Sequence, residues 1–327
     1  MNNSPTSAPG QSSQTTSRRQ FIQTAASVAV AASGFPRLAL AKPGKHPLID
    51  HLGLQLYTVR EPLATQPQQT IEAIQQAGYQ QVELFDTQLL PQLQPVLKGL
   101  GIAINSAHFL PPLVTGNWEP FVAFGRKPPP ADYTFETMVA QAAEYGITHL
   151  VFPFVYPQDR GGIAFYTELA EKLNWAGETC QQSGIQLSYH HHAFEFQPME
   201  GTSPLQLLLE HTDPALMHLQ VDVFWASVAG RDPAQFIRET AGGPNGRPIS
   251  MLHLKDKKAN LSPTFLDSSL PPDAFQPVGS GVLDFREIIR AAEEAGVKHC
   301  FVEQDESAQP LKDIQRSSHY LKNLFHP

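Results

Sequence analysis

The chain is poor in cysteine and in basic residues, and both shortages exclude classes of protein. Its 327 residues include only two cysteines, Cys180 in a predicted helix and Cys300 at the start of a predicted strand. We therefore expect two separate thiols and no disulfide. With 23 Lys and Arg against 31 Asp and Glu, the formal net charge is −8. Nucleic-acid binding requires a basic footprint, so we expect no nucleic-acid partner.

The apolar stretch near the N-terminus, at about 25–32, is too short to span a bilayer, but its flanks carry an export pattern. Arg18-Arg19 within SRRQFI precedes the stretch, and Ala39-Leu40-Ala41 after it is typical of a cleavage site. We predict a twin-arginine signal peptide over 1–41, with the alternative that this is a disordered basic tail. The remaining domain, 42–327, would then be periplasmic, or tethered to the inner membrane if the signal is not cleaved. Residues 1–41 hold three of the basic and none of the acidic residues, which leaves a charge of about −11.

After this segment the chain repeats one pattern: an amphipathic helix, a glycine, then a β-rich run. The pattern occurs as QQAGYQQVEL, KGLGIAIN, AEYGITHLVF, QQSGIQLSY and EEAGVKHCFVE, around Gly78, Gly101, Gly146, Gly184 and Gly296. Each glycine stands where a helix end favours the left-handed conformation before the chain enters a strand. Further strands near 52–56, 216–222 and 249–254 raise the number of candidates to eight. Helices are predicted at about 66–77, 88–99, 133–145, 164–183, 203–211, 232–240, 284–295 and 309–324.

Eight alternating units predict an α/β fold, a single (β/α)8 TIM barrel. An open doubly wound sheet is the alternative, but it usually carries a phosphate-binding glycine loop after its first strand. Here Thr58-Val59-Arg60 stands in that place. Two long proline-rich loops, 110–131 and 257–280, follow strands, so we expect them over the active face as lids or substrate walls. The aromatic residues Trp118 and Phe121 indicate that the first loop packs.

Four short apolar runs each end in a residue that can bind a divalent metal ion. They are QLSYH (186–190), LMHLQVD (216–222), ISMLH (249–253) and HCFVE (299–303), and their terminal residues are His190, Asp222, His253 and Glu303. Side chains at the ends of barrel strands point into the mouth, where function is located in this fold. Two imidazoles and two carboxylates suit Mn²⁺, Zn²⁺, Co²⁺ or Fe²⁺ better than an all-oxygen Ca²⁺ site. We therefore predict a metal centre.

Two of the candidate ligands have a structural alternative, and a third is uncertain. Asp222 could cap the following helix, and His253 could be a satisfied core histidine. His190 is the least certain ligand, because strand alternation places His190 and His192 on one side and His191 on the other. Either His190 or His192 could bind the metal ion, and Glu195 could supply a carboxylate ligand instead.

Other polar residues lie at strand ends and could bind substrate. Glu83 and His108 are candidates for that role, with buried hydrogen bonding as the alternative, and for Gln55 we prefer the alternative. Lys255 lies two residues beyond His253, where its ammonium could stabilise a developing oxyanion or form a salt bridge to Glu83 or Asp256.

Taken together, these motifs resemble the xylose isomerase-like TIM-barrel superfamily, in its sugar phosphate isomerase/epimerase branch. The resemblance covers about 50–325 and is carried by GLQLYTVR (53–60), VEL (82–84), YHHHAFEF (189–196), VDVFW (221–225), HLKD (253–256) and VEQD (302–305). It implies one divalent cation, most often Mn²⁺, held by Glu, Asp, His and Glu from the last four strands. Asp222, His253 and Glu303 match three of these. His190 stands where the epimerases usually have Glu, and Trp225 stands where they commonly have a substrate-binding His.

For the reaction, the resemblance implies isomerisation or epimerisation of a sugar by proton abstraction next to a carbonyl through an enediolate. Glu303 would be one base, with His192, Lys255 or Glu195 opposite. Relatives with Tyr-His-x-His act on 3-keto-glycosides by β-elimination, which makes a lyase the alternative enzyme. A non-catalytic periplasmic sugar-binding barrel is the alternative of another class. We expect a small carbohydrate ligand, contacted by Glu83, His108, Glu195 and Trp225. The sequence does not decide the oligomeric state, and a homo-oligomer stays open.

Overall fold

The computed structural model describes residues 46–243 and 246–325, and within them eight parallel strands close into a barrel. The strands are β1 (Gly53–Gln55), β2 (Gln81–Leu84), β3 (Ala103–His108), β4 (His149–Phe152), β5 (Gln186–His190), β6 (Met217–Asp222), β7 (Ile249–Leu254) and β8 (His299–Val302). Each strand pairs with its neighbours in the sequence, and β1 pairs with β8 to close the ring. The predicted barrel is confirmed, because an open sheet would lack that last pairing.

A long helix follows each strand on the outside of the barrel. These helices are α1 (Pro67–Gln76), α2 (Leu90–Gly99), α3 (Phe135–Glu144), α4 (Ile163–Gln182), α5 (Pro204–His211), α6 (Pro233–Gly242), α7 (Phe285–Glu294) and α8 (Pro310–Asn323). Shorter helices span Pro47–Asp50, Arg60–Thr65, Pro112–Thr115, Glu119–Ala123 and Val223–Val228. The eight predicted helices are confirmed to within a few residues at each end. The predicted signal segment 1–41 lies outside the described residues.

The helix α7 illustrates how the sequence produces these elements. Asp284 caps its N-terminus by accepting a hydrogen bond from the backbone N–H of Glu287. Phe285, Ile288 and Ile289 follow at the spacing that places them on one face, and all three are buried against the barrel. Each such side chain contributes about 1.5–3 kcal/mol to the stability of the folded state when it is fully buried. The chain then turns into β8 at Gly296, whose φ of 75° is in the left-handed region, as at the other four predicted glycines.

Both long loops pack, as the aromatic residues indicate. In the first, Leu110 and Phe121 are buried against Tyr156 from the loop after β4. The second contains a short antiparallel pair, Asp256–Lys257 with Phe275–Gln276. Its base is fixed by the carboxylate of Asp256, which accepts hydrogen bonds from four backbone N–H groups, those of Lys257, Gly279, Gly281 and Leu283.

Cys180 in α4 and Cys300 in β8 are both buried free thiols, which confirms the prediction of two separate cysteines. Among the helices that the structure describes, none is both long enough and apolar enough to cross a membrane.

Candidate metal centre

Three of the four predicted ligands converge at the mouth of the barrel. Asp222 ends β6 and pairs in register with His253 on β7. Glu303 directly follows β8, and its backbone N–H donates to the carbonyl of Leu254 at 3.1 Å. Neighbouring strands of one barrel thus present an imidazole between two carboxylates, and all three residues are buried.

The ligand atoms of these residues face one another at the mouth of the barrel. His253 Nδ1 lies 2.7 Å from Glu303 Oε2 and 3.8 Å from Asp222 Oδ2. One ligand atom from each residue lies within 4.8 Å of the other two. Within the described part of the chain, none of Asp222 Oδ2, His253 Nδ1 and Glu303 Oε2 makes a hydrogen bond of good geometry, and the two oxygens are paired through charge contacts with the Lys255 ammonium. Two carboxylate oxygens and one imidazole nitrogen this close together fit a cation that would ligate all three.

Asp222 has two roles, one for each carboxylate oxygen. Its Oδ1 accepts hydrogen bonds from the backbone N–H groups of Phe224 at 2.9 Å and Trp225 at 3.0 Å, which caps the short helix Val223–Val228. Its Oδ2 makes none of these bonds and is the atom directed at His253. The cap therefore orients the carboxylate for the cluster, and the structural alternative for Asp222 is compatible with a ligand role.

The orientation of the His253 ring is fixed from the interior of the barrel by Glu83. His253 Nε2 lies 2.5 Å from Glu83 Oε1, so the opposite nitrogen, Nδ1, is the one that faces Asp222 and Glu303. A carboxylate behind a ligating histidine is the usual arrangement in metal sites, because it fixes the ring and makes it a better ligand. Burial alone would lower the pKa of His253, but the charges of Glu83 and Glu303 raise it to about 10. A cation that binds Nδ1 must therefore displace a proton.

Glu83 is the hub of a network that crosses the barrel. Its side chain is fully buried, and its partners are Gln55 (2.7 Å), His108 (3.0 Å) and His253 (2.5 Å) on Oε1, and Ser106 (2.5 Å) and Gln220 (2.8 Å) on Oε2. Burial would raise the pKa of Glu83, but His108 and His253 hold it well below its usual range. Gln55 is a buried hydrogen-bonding residue, as preferred from the sequence. The predicted substrate contacts of Glu83 and His108 stay predictions.

His190 lies beside the three-residue set and approaches two of its members, Asp222 and His253. Its Nε2 is 3.8 Å from Asp222 Oδ2, and its ring centroid is 4.6 Å from that of His253. Its Nδ1 lies 3.0 Å from Gln220 Oε1. A second set, of one nitrogen each from His108, His190 and His253, also lies within 4.8 Å. In these residues, however, Nε2 of His108 and of His253 already contacts Glu83, and Nδ1 of His190 contacts Gln220. The set of Asp222, His253 and Glu303 is therefore the better cation site, and a ligand role for His190 stays a prediction.

The other two histidines of the cluster differ sharply in their surroundings. His191 is fully buried, and its Nε2 accepts a hydrogen bond from the backbone N–H of Asp222 at 3.2 Å. Burial lowers the pKa of His191 to about 4. His191 is thus structural, as expected from strand alternation. His192 faces the mouth, with its ring 4.9 Å from His190 and 5.0 Å from Trp225. In the described residues, His192 Nδ1 and Trp225 Nε1 are buried without a hydrogen-bond partner.

Glu195 lies beneath His192 and is fully buried. It accepts hydrogen bonds from the hydroxyl of Tyr189 at 2.9 Å and from the backbone N–H of His192 at 2.8 Å. Burial raises its pKa to about 8. These contacts give Glu195 a role in supporting His192, while its predicted contact with substrate stays a prediction.

Lys255 reaches into the acidic cluster rather than toward the partners named from the sequence. Its Nζ is 3.1 Å from Asp222 Oδ2, 2.8 Å from Glu303 Oε2 and 2.7 Å from Asp305 Oδ1. Burial would lower the pKa of this ammonium, but the three carboxylates raise it well above its usual value. A salt bridge is present, but the suggested partners Glu83 and Asp256 are wrong. Lys255 also approaches the Trp225 ring, at 5.8 Å from its centroid.

Sequence reasoning missed two residues of this region. Gln220 bridges His190 and Glu83, and it lies two residues before Asp222, so strand alternation places it on the same side. Asp305 binds Lys255 from the segment after β8, and its position two residues beyond Glu303 is the corresponding signal.

Residues 71–324 match the family model for the xylose isomerase-like TIM barrel. The chain belongs to this family. The resemblance noted in the sequence is therefore confirmed.

Similar proteins fall into two groups. An inosose dehydratase of Geobacillus kaustophilus is 28% identical over 171 residues, which make up 49% of this chain and 53% of that protein. The chain thus spans about half the length of the curated relatives it matches. A sugar phosphate isomerase/epimerase of Parabacteroides distasonis has a TM-score of 0.66 at 23% identity and covers 87% of this chain and 96% of its own. An IolI protein with a bound zinc atom has a TM-score of 0.60 at 14% identity, and the match covers 84% of this chain and 99% of that protein. At these identities the two structures show the shared fold.

Proposed function

We propose that this protein is a divalent-metal-dependent enzyme that removes a proton next to the carbonyl of a sugar or a sugar-like polyol. The observation that carries the proposal is the convergence of three buried ligand atoms, one each from Asp222, His253 and Glu303, within 4.8 Å of one another at the mouth of the barrel. One imidazole and two carboxylates suit Zn²⁺, Mn²⁺, Co²⁺ or Fe²⁺. The zinc atom in the similar IolI structure puts Zn²⁺ beside Mn²⁺ as a cation to test first.

Bound at this set, the cation would act as a Lewis acid that polarises the carbonyl and acidifies the neighbouring C–H. The chain supplies the base and the surrounding charges. Burial would raise the pKa of Glu303, but Lys255 and His253 hold it well below its usual value, so its carboxylate is ionised, which is the form that a general base requires. The Lys255 ammonium, at the same mouth, is suited to stabilise an oxygen that gains negative charge.

The substrate would contact the two unpartnered polar atoms above the cluster. Trp225 Nε1 is only a donor and therefore needs an acceptor oxygen, whereas His192 Nδ1 can donate or accept according to its tautomer. Hydroxyl and carbonyl oxygens of a carbohydrate supply both kinds of partner. A burial-lowered pKa keeps His192 neutral, which suits an imidazole that exchanges a proton with substrate.

Two outcomes share this first step. Return of the proton gives isomerisation or epimerisation, which the similar sugar phosphate isomerase/epimerase favours. Departure of a β-substituent gives elimination, which the relatives named inosose dehydratase favour. Elimination needs one base, and His190 stands where the epimerases usually have a second glutamate, so we place a lyase acting on a keto-polyol or 3-keto-glycoside level with an epimerase.

The deciding experiment uses protein loaded with Zn²⁺ or Mn²⁺ in D₂O, incubated with free ketoses, cyclic keto-polyols and 3-keto-glucosides and followed by NMR. Deuterium in a C–H bond without loss of a group indicates epimerase or isomerase chemistry, and release of water or an aglycone indicates elimination. Saturable sugar binding without exchange would support a non-catalytic sugar-binding barrel. Absence of both exchange and binding across the panel would contradict the proposal.

We further propose that the protein works outside the cytoplasm after twin-arginine export. This rests on the Arg18-Arg19 motif and the small residues at 39–41. An unphosphorylated carbohydrate fits that location, because sugar phosphates are mainly cytosolic.

A further inference from the structure

The Lys255 ammonium occupies an unusual position for a lysine. Only 2% of the residue is exposed, although lysine is among the residues least often buried. Its Nζ is matched by carboxylate oxygens of Asp222, Glu303 and Asp305, all within 3.1 Å. A buried ammonium requires such pairing, and the three acids in turn require a nearby positive charge.

Two of these three oxygens are the same atoms that form the candidate cation set. Asp222 Oδ2 and Glu303 Oε2 contact Lys255 Nζ and also face His253 Nδ1. The third, Asp305 Oδ1, is not part of that set, and the Asp305 side chain is 20% exposed at the edge of the cluster. A divalent cation and the ammonium therefore need the same two oxygens, while Asp305 is available to the ammonium alone.

We infer that Lys255 is a resident counter-ion of the cation site, which its ammonium fills in the metal-free protein and leaves for Asp305 when a divalent cation binds. This rests on the metal centre proposed above. Two positive charges cannot remain in contact with the same oxygens without strong repulsion. The flexible four-carbon stem of lysine allows the ammonium to move while its base stays fixed, which a guanidinium or an imidazole permits less readily. Asp305 is the positioning residue that keeps the displaced charge paired.

Substitutions of Lys255 and of Asp305 should have opposite effects on the affinity for metal. Lys255→Met removes the competitor, so the dissociation constant for Zn²⁺ should fall by about tenfold, the usual size of coupling between two bound groups. Asp305→Asn removes the third carboxylate, so the ammonium has no charged partner outside the cation set and the dissociation constant should rise about tenfold. Isothermal titration of metal-free protein with Zn²⁺ at one fixed pH measures both, and Co²⁺ provides a second probe.

A double-mutant cycle separates displacement from a simple charge effect. If Asp305 acts through Lys255, Asp305→Asn should change Zn²⁺ affinity in the wild type and leave it nearly unchanged in the Lys255→Met background. Equal effects of Asp305→Asn in both backgrounds would overturn the inference, since they would indicate plain electrostatic attraction. The matched controls are Lys258→Met and Asp273→Asn, because these residues form an exposed Lys–Asp ion pair on the loop after β7. Both should leave the affinity unchanged.

Thermal melting provides a readout without substrate or turnover. Metal-free Lys255→Met should melt at a lower temperature than the wild type, since three carboxylates lose their counter-ion. Added Zn²⁺ should raise the melting temperature of this variant by more than it raises that of the wild type. Should this variant fail to fold, Lys255→Gln keeps an N–H donor on a side chain that is one atom shorter and uncharged, and it is expected to tighten Zn²⁺ binding in the same direction. Unchanged or weaker Zn²⁺ binding by the folded variant would overturn the inference. If the wild-type protein binds no metal, the proposed function is overturned. The inference is then overturned as well, unless the Lys255→Met variant does bind metal. A wild type that binds metal but catalyses no exchange would contradict the function alone.

Discussion

Asp222 and His253 are register partners on adjacent barrel strands, and their facing atoms, Oδ2 and Nδ1, lie 3.8 Å apart. Each of these side chains is fixed at its other end. Asp222 Oδ1 caps a helix, and His253 Nε2 contacts Glu83 in the barrel interior. The two ligand atoms are therefore held in place by parts of the fold that do not belong to the site. Such support is what allows a metal site to keep its geometry before the cation arrives.

The first prediction concerns Glu83, which holds His253 from behind. In Glu83→Gln, the amide NH₂ would face donors where a carboxylate oxygen now accepts, so the orientation of the His253 ring would be lost. We expect the dissociation constant for Zn²⁺ to rise by roughly 10–100-fold, the usual cost of removing a partner behind a ligating histidine. Isothermal titration measures the change.

The control for this variant is Glu136→Gln, which makes the same substitution at an exposed position in the first turn of α3. It should leave Zn²⁺ affinity as in the wild type. If a folded Glu83→Gln protein binds Zn²⁺ as tightly as the wild type, Glu83 does not orient His253 for a cation.

The second prediction concerns Glu303 as the base. In Glu303→Gln, deuterium exchange into the active substrate should fall by at least about 10²-fold, since general-base catalysis contributes 10²–10⁴-fold. Glu306→Gln is the matched control, because Glu306 lies three residues along the same segment and pairs with Arg60 at 3.2 Å. Wild-type exchange rates in Glu303→Gln would remove Glu303 from the mechanism.

The fold was predictable because its signals are local. Helix amphipathicity, the glycine at each helix end and the apolar strand runs all lie within short windows, as in QQSGIQLSY before β5. Closure of the ring depends on the number of such units, which can be counted. The bounds of α4 and α8, for example, required no knowledge of tertiary structure.

The site was predictable only where a strand-end residue marks it. Asp222, His253 and Glu303 each end an apolar run, and the barrel brings these ends together. Contacts across the barrel carry no such signal. Gln220 reaches Glu83 from the opposite side of the ring, and the ion pair of Lys255 with Asp305 depends on how two loops lie.

The third prediction concerns acid stability and His149, at the start of β4. Burial, together with the nearby His299 and His218, lowers the pKa of His149 from 6.5 to about 4. Between these values the unfolded chain holds the proton and the folded chain does not, so stability present above pH 6.5 is lost as the pH falls toward 4. In His149→Gln, the slope of unfolding free energy against pH in this window should be smaller by up to about 1.4 kcal/mol per pH unit, the value for one proton.

Urea unfolding of metal-free protein at several pH values between 4 and 7 measures that slope. His319→Gln, at an exposed position of α8, should keep the slope of the wild type. An unchanged slope in His149→Gln would show that other groups account for the acid sensitivity.

The fourth prediction concerns export. Replacing both Arg18 and Arg19 by Lys keeps the charge but removes the motif that the twin-arginine machinery reads, so the protein should accumulate in the cytoplasm. Cell fractionation with an antibody to the folded domain measures this, and Arg37→Lys is the control that should still be exported. Periplasmic protein in the double variant would contradict export by this route.

The last prediction decides which histidine completes the cation site. His190 resembles His253 in one respect, because a side-chain oxygen, Gln220 Oε1, holds its Nδ1 at 3.0 Å and leaves Nε2 toward Asp222 Oδ2 at 3.8 Å. Gln220 is itself oriented, since its Nε2 donates to Glu83 at 2.8 Å. Among the residues that the structure describes, no side-chain oxygen holds Nδ1 of the His192 ring in this way. We therefore expect His190→Gln to weaken Zn²⁺ binding by more than about tenfold, as loss of a ligand should cost at least as much as loss of a supporting partner. His192→Gln should leave the affinity unchanged and lower only the exchange rate, and the reverse result in the same titrations would identify His192 as the ligand.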